Sequence, residues 1–349
     1  MAKILITTNH PAPYMDRWFC ALKNEYELTV VYNHMKNSRK SWKNFNGYEG
    51  YCFEQLNTHG ISKLIKAQNL LVVGGWTNKE CLCTIILGKL FRKKVAVFTD
   101  YPFHQNRYAD IFKNLFLYRI IDYVYCATKS TCDLIERKYN LPSQKVVYFP
   151  YAVDFGNVPV PNELQKDNPK GKIKVLIANN FMERKGYSVL FEALKMLDNE
   201  GTTDFEFNIA GHGELFEKYK KMAETMKLDI KFYGWIEESE YRKLQEECQV
   251  YIHASLEEPF GIPPLDAMSR EKIVIVSDGV KSTDMLMRNG WNGFIYPAHE
   301  PKKLYEILTG LKNYDFHAIG QNARKTVTEN FSVENNIMAI RKSLNDGRE

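Results

Sequence analysis

The window Ser255-Leu-Glu-Glu-Pro-Phe-Gly-Ile-Pro-Pro-Leu-Asp-Ala-Met holds the residues best suited to chemistry. An apolar strand ends near His253, a loop follows with Glu258 and Gly261, and Pro263 and Pro264 stand where a helix opens, proline being preorganised for the first helical turn. The backbone N–H groups of Phe260, Gly261 and Ile262 then point out of the helix start. They form an anion site there, and glycine lets a phosphate approach the backbone closely. Asp266 is expected in the first helical turn, near enough to the same mouth to accept hydrogen bonds from a diol such as a ribose. Taken alone, Glu258 is a loop acid and Asp266 an acid favoured by the helix dipole. His253 alternates with apolar neighbours, which favours a core histidine with satisfied partners.

The elements that must hold this window come from the hydrophobic pattern. Strand-like runs at 3–8, 27–32, 70–73, 95–99, 123–127 and 146–150 alternate with helix candidates beginning near Asp16 and around 79–92, 108–120 and 129–139. Residues 155–171 carry prolines, glycines and asparagines with little periodicity, and the domain boundary is placed there. The alternation restarts with strands at 174–178, 205–210, 230–233, 250–253 and 273–276, and with helices near 186–197, 213–227, 238–247, 263–270 and 301–311. A last helix covers about 333–343. Strand and helix taking turns predicts parallel sheets covered on both faces, hence an α/β chain of two doubly wound domains, 1–155 and 172–331, with a closing segment 332–349. Ligands in such sheets bind outside the carboxyl ends of the strands. The loop after the first strand reads Thr7-Thr-Asn-His-Pro-Ala-Pro-Tyr instead of G-x-G-x-x-G, which removes the main support for a dinucleotide enzyme.

Composition narrows the class. The 349 residues exceed one ordinary core, and 44% apolar with 26% charged residues is the balance of a packed globular chain. No run approaches the ~18 apolar residues of a membrane span, no leader pattern precedes Lys3, and seven cysteines lie mostly in apolar runs. These features lead us to expect a cytoplasmic protein with free thiols. Cys81-Leu-Cys83 lacks the second half of a metal site. Residues 1–155 hold 21 Lys and Arg against 12 Asp and Glu, a balance of +9, so the remainder carries −4 of the total +5. The basic half lacks a recognisable nucleic-acid module, and no nucleic-acid partner is expected. Residues 88–94 and 112–119 mix basic with large apolar side chains. That mixture suits a helix resting on an anionic membrane face, or equally a core stripe with a wet basic edge.

The window and its surroundings resemble the retaining glycosyltransferases of family 4, whose GT-B architecture sets two Rossmann-like domains about a central cleft, with a C-terminal helix crossing back to the first. The family signature is Glu, seven residues, Glu around a Phe-Gly; this chain has Glu258, seven residues, Asp266, with Phe260-Gly261 in place. Further matches are Tyr151-Ala-Val-Asp154, Lys185-Gly186, Ile209-Ala-Gly-His-Gly-Glu214, Gly234-Trp-Ile-Glu-Glu and the tail Phe331-Ser-Val-Glu. The resemblance assigns Glu258 to the donor sugar's hydroxyls, Gly261 and Ile262 to the diphosphate, and Asp266 to the ribose with altered reach. It also brings Asn179, Gly211, His212, Gly213, Trp235, Ile236, Phe260 and Leu265 to the donor side. Of these, His212 could merely complete its turn, and Trp235 is more often a packing anchor than a stacking platform.

The chain also departs from the family. Asn179-Asn180 stands where the family often has Gly-Arg, so Arg184 beside Lys185 is inferred to substitute for the phosphate-binding arginine. The glycine pair of the first loop is absent around 9–16. The family's active-site His after the fourth long strand is replaced by Thr99-Asp100, with His104 shortly after. Asp100, His104 and His10 are therefore the acceptor-side candidates. Breaking a sugar–nucleotide bond puts negative charge on the departing diphosphate, which Lys185, Arg184 and the helix N–H groups can receive. No Asp-x-Asp occurs, and a metal-independent enzyme without cofactor is expected, its substrate a nucleotide-diphosphate sugar (UDP-linked favoured) and its acceptor a carbohydrate or lipid-linked saccharide. The alternatives are a GT-B nucleotide-sugar enzyme of epimerase type and a non-catalytic binder of nucleotide sugar or nucleic acid.

Overall fold

The computed structural model describes residues 1–9, 11, 13–34, 49–56, 58–103, 106–152 and 171–346. The chain divides into two compact units, Met1–Asp154 with Phe331–Glu349, and Phe155–Asn330. Most of the segment at which composition changes, 155–170, lies outside the described residues.

Unit 1 is built on a seven-stranded sheet of β1 (Lys3–Thr8), β2 (Glu27–Tyr32), β3 (Tyr51–Cys52), β4 (Leu70–Val73), β5 (Lys94–Thr99), β6 (Tyr123–Cys126) and β7 (Val146–Tyr148), in the order β3-β2-β1-β4-β5-β6-β7. All of its described pairings are parallel. Runs such as Leu70-Leu-Val-Val and Tyr123-Val-Tyr-Cys are buried at every position, as a sheet covered on both faces requires. Helices Pro13–Glu25 and Val333–Asn345 pack with one face of the sheet, and Thr58–Lys66, Lys79–Leu90 and Lys129–Tyr139 with the other. The C-terminal helix is tied down by polar groups as well as by Ile340. Tyr125 Oη donates to Ser343 Oγ at 2.7 Å, Asn336 Nδ2 donates to the Pro150 carbonyl at 3.0 Å, and Lys94 Nζ donates to the carbonyls of Ser343 and Leu344.

Unit 2 repeats the plan with β8 (Ile173–Ala178), β9 (Phe205–Ala210), β10 (Asp229–Gly234), β11 (Val250–His253), β12 (Ile273–Ser277) and β13 (Phe294–Tyr296), in the parallel order β10-β9-β8-β11-β12-β13. Its core gathers Val175, Ile177, Leu190, Leu194, Phe207, Ile252 and Ile275. Both sheets run outward from their first strand in two directions, so the loops after β1 and β4 diverge, as do those after β8 and β11. A crevice at such a switch point is where an α/β sheet binds its ligand. Each unit is the doubly wound parallel-sheet domain that the alternating pattern predicts.

Some elements leave no readable period. β3 and β13 are two and three residues long, and the helices Thr58–Lys66 and Phe316–Asn330 were not anticipated. The helix expected over 213–227 is confined to Phe216–Ala223, because Gly211 and Gly213, at φ +133° and +155°, keep the preceding turn open. The helix expected over 108–120 is Arg107–Phe112, then a wider π turn Lys113–Leu117, then Tyr118–Ile120.

Candidate active site

The loops after β8 and β11 meet at the switch point of unit 2. After β8 the chain forms a tight turn, Glu183–Lys185, which ends at Gly186 with φ +70°. A Cβ on Gly186 would stand 1.9 Å from the Ala254 carbonyl oxygen, so the turn lies directly on the loop that follows β11. Leu256 N–H donates to the Arg184 carbonyl at 2.8 Å and joins the two loops. Glu258 is held from the other side, its N–H bonded to Gly279 O and its carbonyl accepting from Lys281 N–H. The consequence is a contact that sequence spacing does not show. Lys185, 73 residues away in sequence and 8% exposed, pairs its Nζ with Glu258 Oε2.

His253 completes this arrangement. It is buried, as its alternation on β11 suggests, but its Nε2 lies 3.5 Å from Glu258 Oε2 and 3.4 Å from Asn179 Nδ2, and its Nδ1 lies 3.3 Å from Tyr251 Oη. Sequence reasoning placed it among core side chains. The available signal was its position as the last residue of the strand that leads into the loop carrying Glu258. Burial lowers the imidazole's pKa, the Glu258 hydrogen bond opposes that, and the Lys185 charge adds to it. For Glu258, burial alone would push the carboxyl up, but the His253 hydrogen bond and the Lys185 charge outweigh it and hold the group at about 2.

A depressed carboxyl stabilises the fold above its unfolded pKa, and the contribution is lost as pH falls through the folded one. For Glu258 the window runs from about 4.5 down to about 2, and the contribution is on the order of 3 kcal/mol. Unfolding curves recorded down to about pH 2.5 should show Glu258→Gln less stable than the parent near neutrality, with the gap closing with acid. A constant gap would mean that the ion pair does not carry that stability.

The helix Ile262–Ser269 opens at Gly261, φ +98°, with prolines at its second and third positions. Two of the four N–H groups that a helix start leaves unbonded are therefore missing, and Gly261 and Ile262 supply the remaining donors. A side chain at position 261 would press on Val280 at 2.9 Å. Two expectations are corrected here. Asp266 is the fifth residue of the helix, beyond the first turn, and its carboxylate accepts from Gln245 Nε2 at 2.6 Å and lies 3.5 Å from Arg270 Nε. Leu265 is fully buried, so its side chain serves packing and does not face a ligand. Phe260 is buried as well.

The other donor-side candidates lie on the same carboxyl edge, in the loops after β8, β9 and β10. Asn179 Nδ2 reaches Ser255 Oγ at 3.4 Å, and its carbonyl accepts from Tyr187 Oη. Gly211 presses on that same carbonyl, a Cβ there meeting it at 1.9 Å, and its N–H bonds Gly234 O. His212 and Gly213 are exposed, Trp235 is half in solvent and Ile236 is half-buried. Arg184 donates from Nη1 to the Glu257 carbonyl at 3.2 Å. In unit 1, Asp100 follows β5 and accepts from Tyr151 Oη at 3.3 Å. His10, His104, Val153 and Asp154 lie outside the described residues. Among the described residues no group of three His, Cys, Asp or Glu could hold a metal ion, and the seven cysteines are free.

Residues 161–326 match the family model described as Glycosyl transferases group 1. The chain is 27% identical over 149 residues to an uncharacterised 41.2 kDa protein in the cps region of Klebsiella pneumoniae, covering 42% of this chain and 38% of that one. It is 24% identical over 191 residues to the phosphatidylinositol N-acetylglucosaminyltransferase GPI3 subunit of Saccharomyces cerevisiae, covering 52% and 42%. The chain thus spans about two fifths of the length of each of these relatives. By fold it is similar to HepE of Anabaena, solved with UDP and glucose, with a TM-score of 0.73, 16% identity and coverage of 98% and 99%. Together these matches show the GT-B fold for the chain and a likeness of residues 161–326 to the glycosyl transferases of group 1.

Proposed function

We infer that the protein moves a sugar from a nucleotide diphosphate, UDP for preference, onto an acceptor hydroxyl with retention of configuration, as family 4 enzymes do. The acceptor is a carbohydrate or lipid-linked saccharide in surface polysaccharide or glycolipid assembly. One observation carries this reading: Lys185 and Glu258 are paired at the switch point of unit 2, beside the N–H groups of Gly261 and Ile262. An incoming diphosphate competes with Glu258 for the Lys185 ammonium and takes up the two N–H donors. The carboxylate thereby released is free to accept hydrogen bonds from sugar hydroxyls. As the anomeric bond breaks, charge grows on the diphosphate where Lys185 and Arg184 neutralise it. The departing phosphate oxygen takes the acceptor's proton as that hydroxyl attacks on the same face.

The relatives' names support the substrate class: one is a protein in a cps region, another a phosphatidylinositol N-acetylglucosaminyltransferase subunit. The cations in place support a reaction that needs no divalent ion. Thermal unfolding with UDP-, GDP-, ADP- and dTDP-sugars tests the donor. The cognate one should stabilise the protein by about 2–3 kcal/mol at a hundredfold excess over its Kd. A chelator should leave transfer unchanged; loss restored by magnesium or manganese would refute the metal-free mechanism. Stabilisation by none of the four would sink the donor assignment.

A further inference from the structure

Unit 1 carries a surface that the donor chemistry of unit 2 does not use. The helical run 107–120 buries Lys113, Leu117 and Tyr118, and turns Tyr108, Ile111, Leu115, Phe116 and Ile120 outward. Tyr108 is 82% exposed and Phe116 58%, so these side chains stand in solvent where a helix on a globular surface places polar groups. The neighbouring helix Lys79–Leu90 adds Ile86 and Leu90, 60% and 70% exposed. Two contacts link them. Trp76, just before one helix, stacks on Phe112 of the other at 5.7 Å, and Lys89 near its end binds Asp122 just past the run at 2.7 Å. The exposed apolar side chains on these two linked elements are more numerous than the singly scattered hydrophobics of an ordinary surface, and we take them together as one face.

The exposed charges of the segment that carries this face have one sign. Among the described residues of 76–122, the exposed charged side chains are Lys79, Arg92, Arg107 and Arg119. The acids of the segment are turned in. Glu80 is buried, Asp110 accepts from Lys138 at 2.7 Å and Tyr139 at 2.6 Å, Asp122 accepts from Lys89 and the Val95 N–H, and Asp100 accepts from Tyr151. An apolar helical face whose own exposed charges are all cationic suits the headgroup boundary of an anionic bilayer. There the helices' internally bonded backbone needs no partner, and each basic residue adds attraction to the lipid phosphates.

We propose that this two-helix face of unit 1 docks on a membrane bearing anionic phospholipid. The surface lies wholly in unit 1, so it stands or falls separately from the donor assignment. Flotation of the full chain with phosphatidylcholine vesicles, with and without about one third phosphatidylglycerol, tests it. Binding to the anionic vesicles should exceed binding to the neutral ones by about tenfold or more, and should fall at about 0.5 M salt, where screening shortens the reach of charge. Leu115→Ser with Phe116→Ser should cost at least about tenfold in vesicle binding, leaving the unfolding temperature and its shift by nucleotide sugar unchanged. Arg92→Glu with Arg119→Glu should abolish the preference for anionic lipid, and serves as the second variant should the first unfold. Equal binding to both vesicles, or full binding by the Leu115/Phe116 variant, would overturn the proposal. So would a dimer in solution that this variant converts to monomer, which would mean that a second copy of the chain covers the face.

Discussion

Lys185→Ala is expected to lower turnover by about 10²- to 10³-fold, the cost of losing one donor to a developing anion. Sequence spacing alone suggests a surface lysine whose removal leaves the fold untouched. The structure alters that expectation, because Lys185 is 8% exposed and its partner Glu258 is held at a depressed pKa by it and by His253. Removing one member of a buried pair strands the other's charge at a cost of about 3 kcal/mol, the low end for such sites because neither group is wholly buried. In a unit of this size that is a fall of roughly 6–12 °C in unfolding temperature. The double variant Lys185→Ala/Glu258→Ala separates the two effects. It removes both charges and should regain more than half of the lost stability while transfer stays abolished. Near-normal turnover in Lys185→Ala would contradict the phosphate role, and a double variant no more stable than the single would contradict the stranded charge.

Gly186→Ala should do comparable damage through the backbone. The residue sits at φ +70°, where an L side chain costs about 1–2 kcal/mol, and its Cβ would meet the Ala254 carbonyl oxygen at 1.9 Å. One of the two loops must move, and either movement separates Lys185 from Glu258. Gly201 supplies the control. It has the same φ of +70° with nothing within 4 Å of its Cβ, so Gly201→Ala carries the conformational cost alone. We expect Gly186→Ala to lose about 3 kcal/mol or more and most of the donor-induced thermal shift, against about 1 kcal/mol and an unchanged shift for Gly201→Ala. Equal losses in the two variants would show that the loops do not depend on this close approach.

The alternation of apolar runs with helical periods is local, so the two doubly wound units and most strand positions were legible in residue order. The helix opening at Pro263 and Pro264 was legible for the same reason, since proline restricts its own backbone wherever it stands. β3 and β13 were not, being two and three residues long and paired to strands already in place. Asp266 was read into the first turn because the opening was placed at the prolines, one or two residues past the true start at Ile262, and its engagement by Gln245 depends on where the helix Glu238–Glu247 lies.

Residue types and their order thus dictated which strands and helices form and which loops could carry chemistry, because hydrophobic period, proline and glycine act on the chain within a few residues of themselves. Partnership was settled by packing. Lys185 meets Glu258, and His253 faces the same carboxylate, because β8 and β11 lie side by side in the sheet and Gly186 admits the two loops to contact. A charge 73 positions away contributes its energy through distance in space, and that distance exists once the sheet has formed.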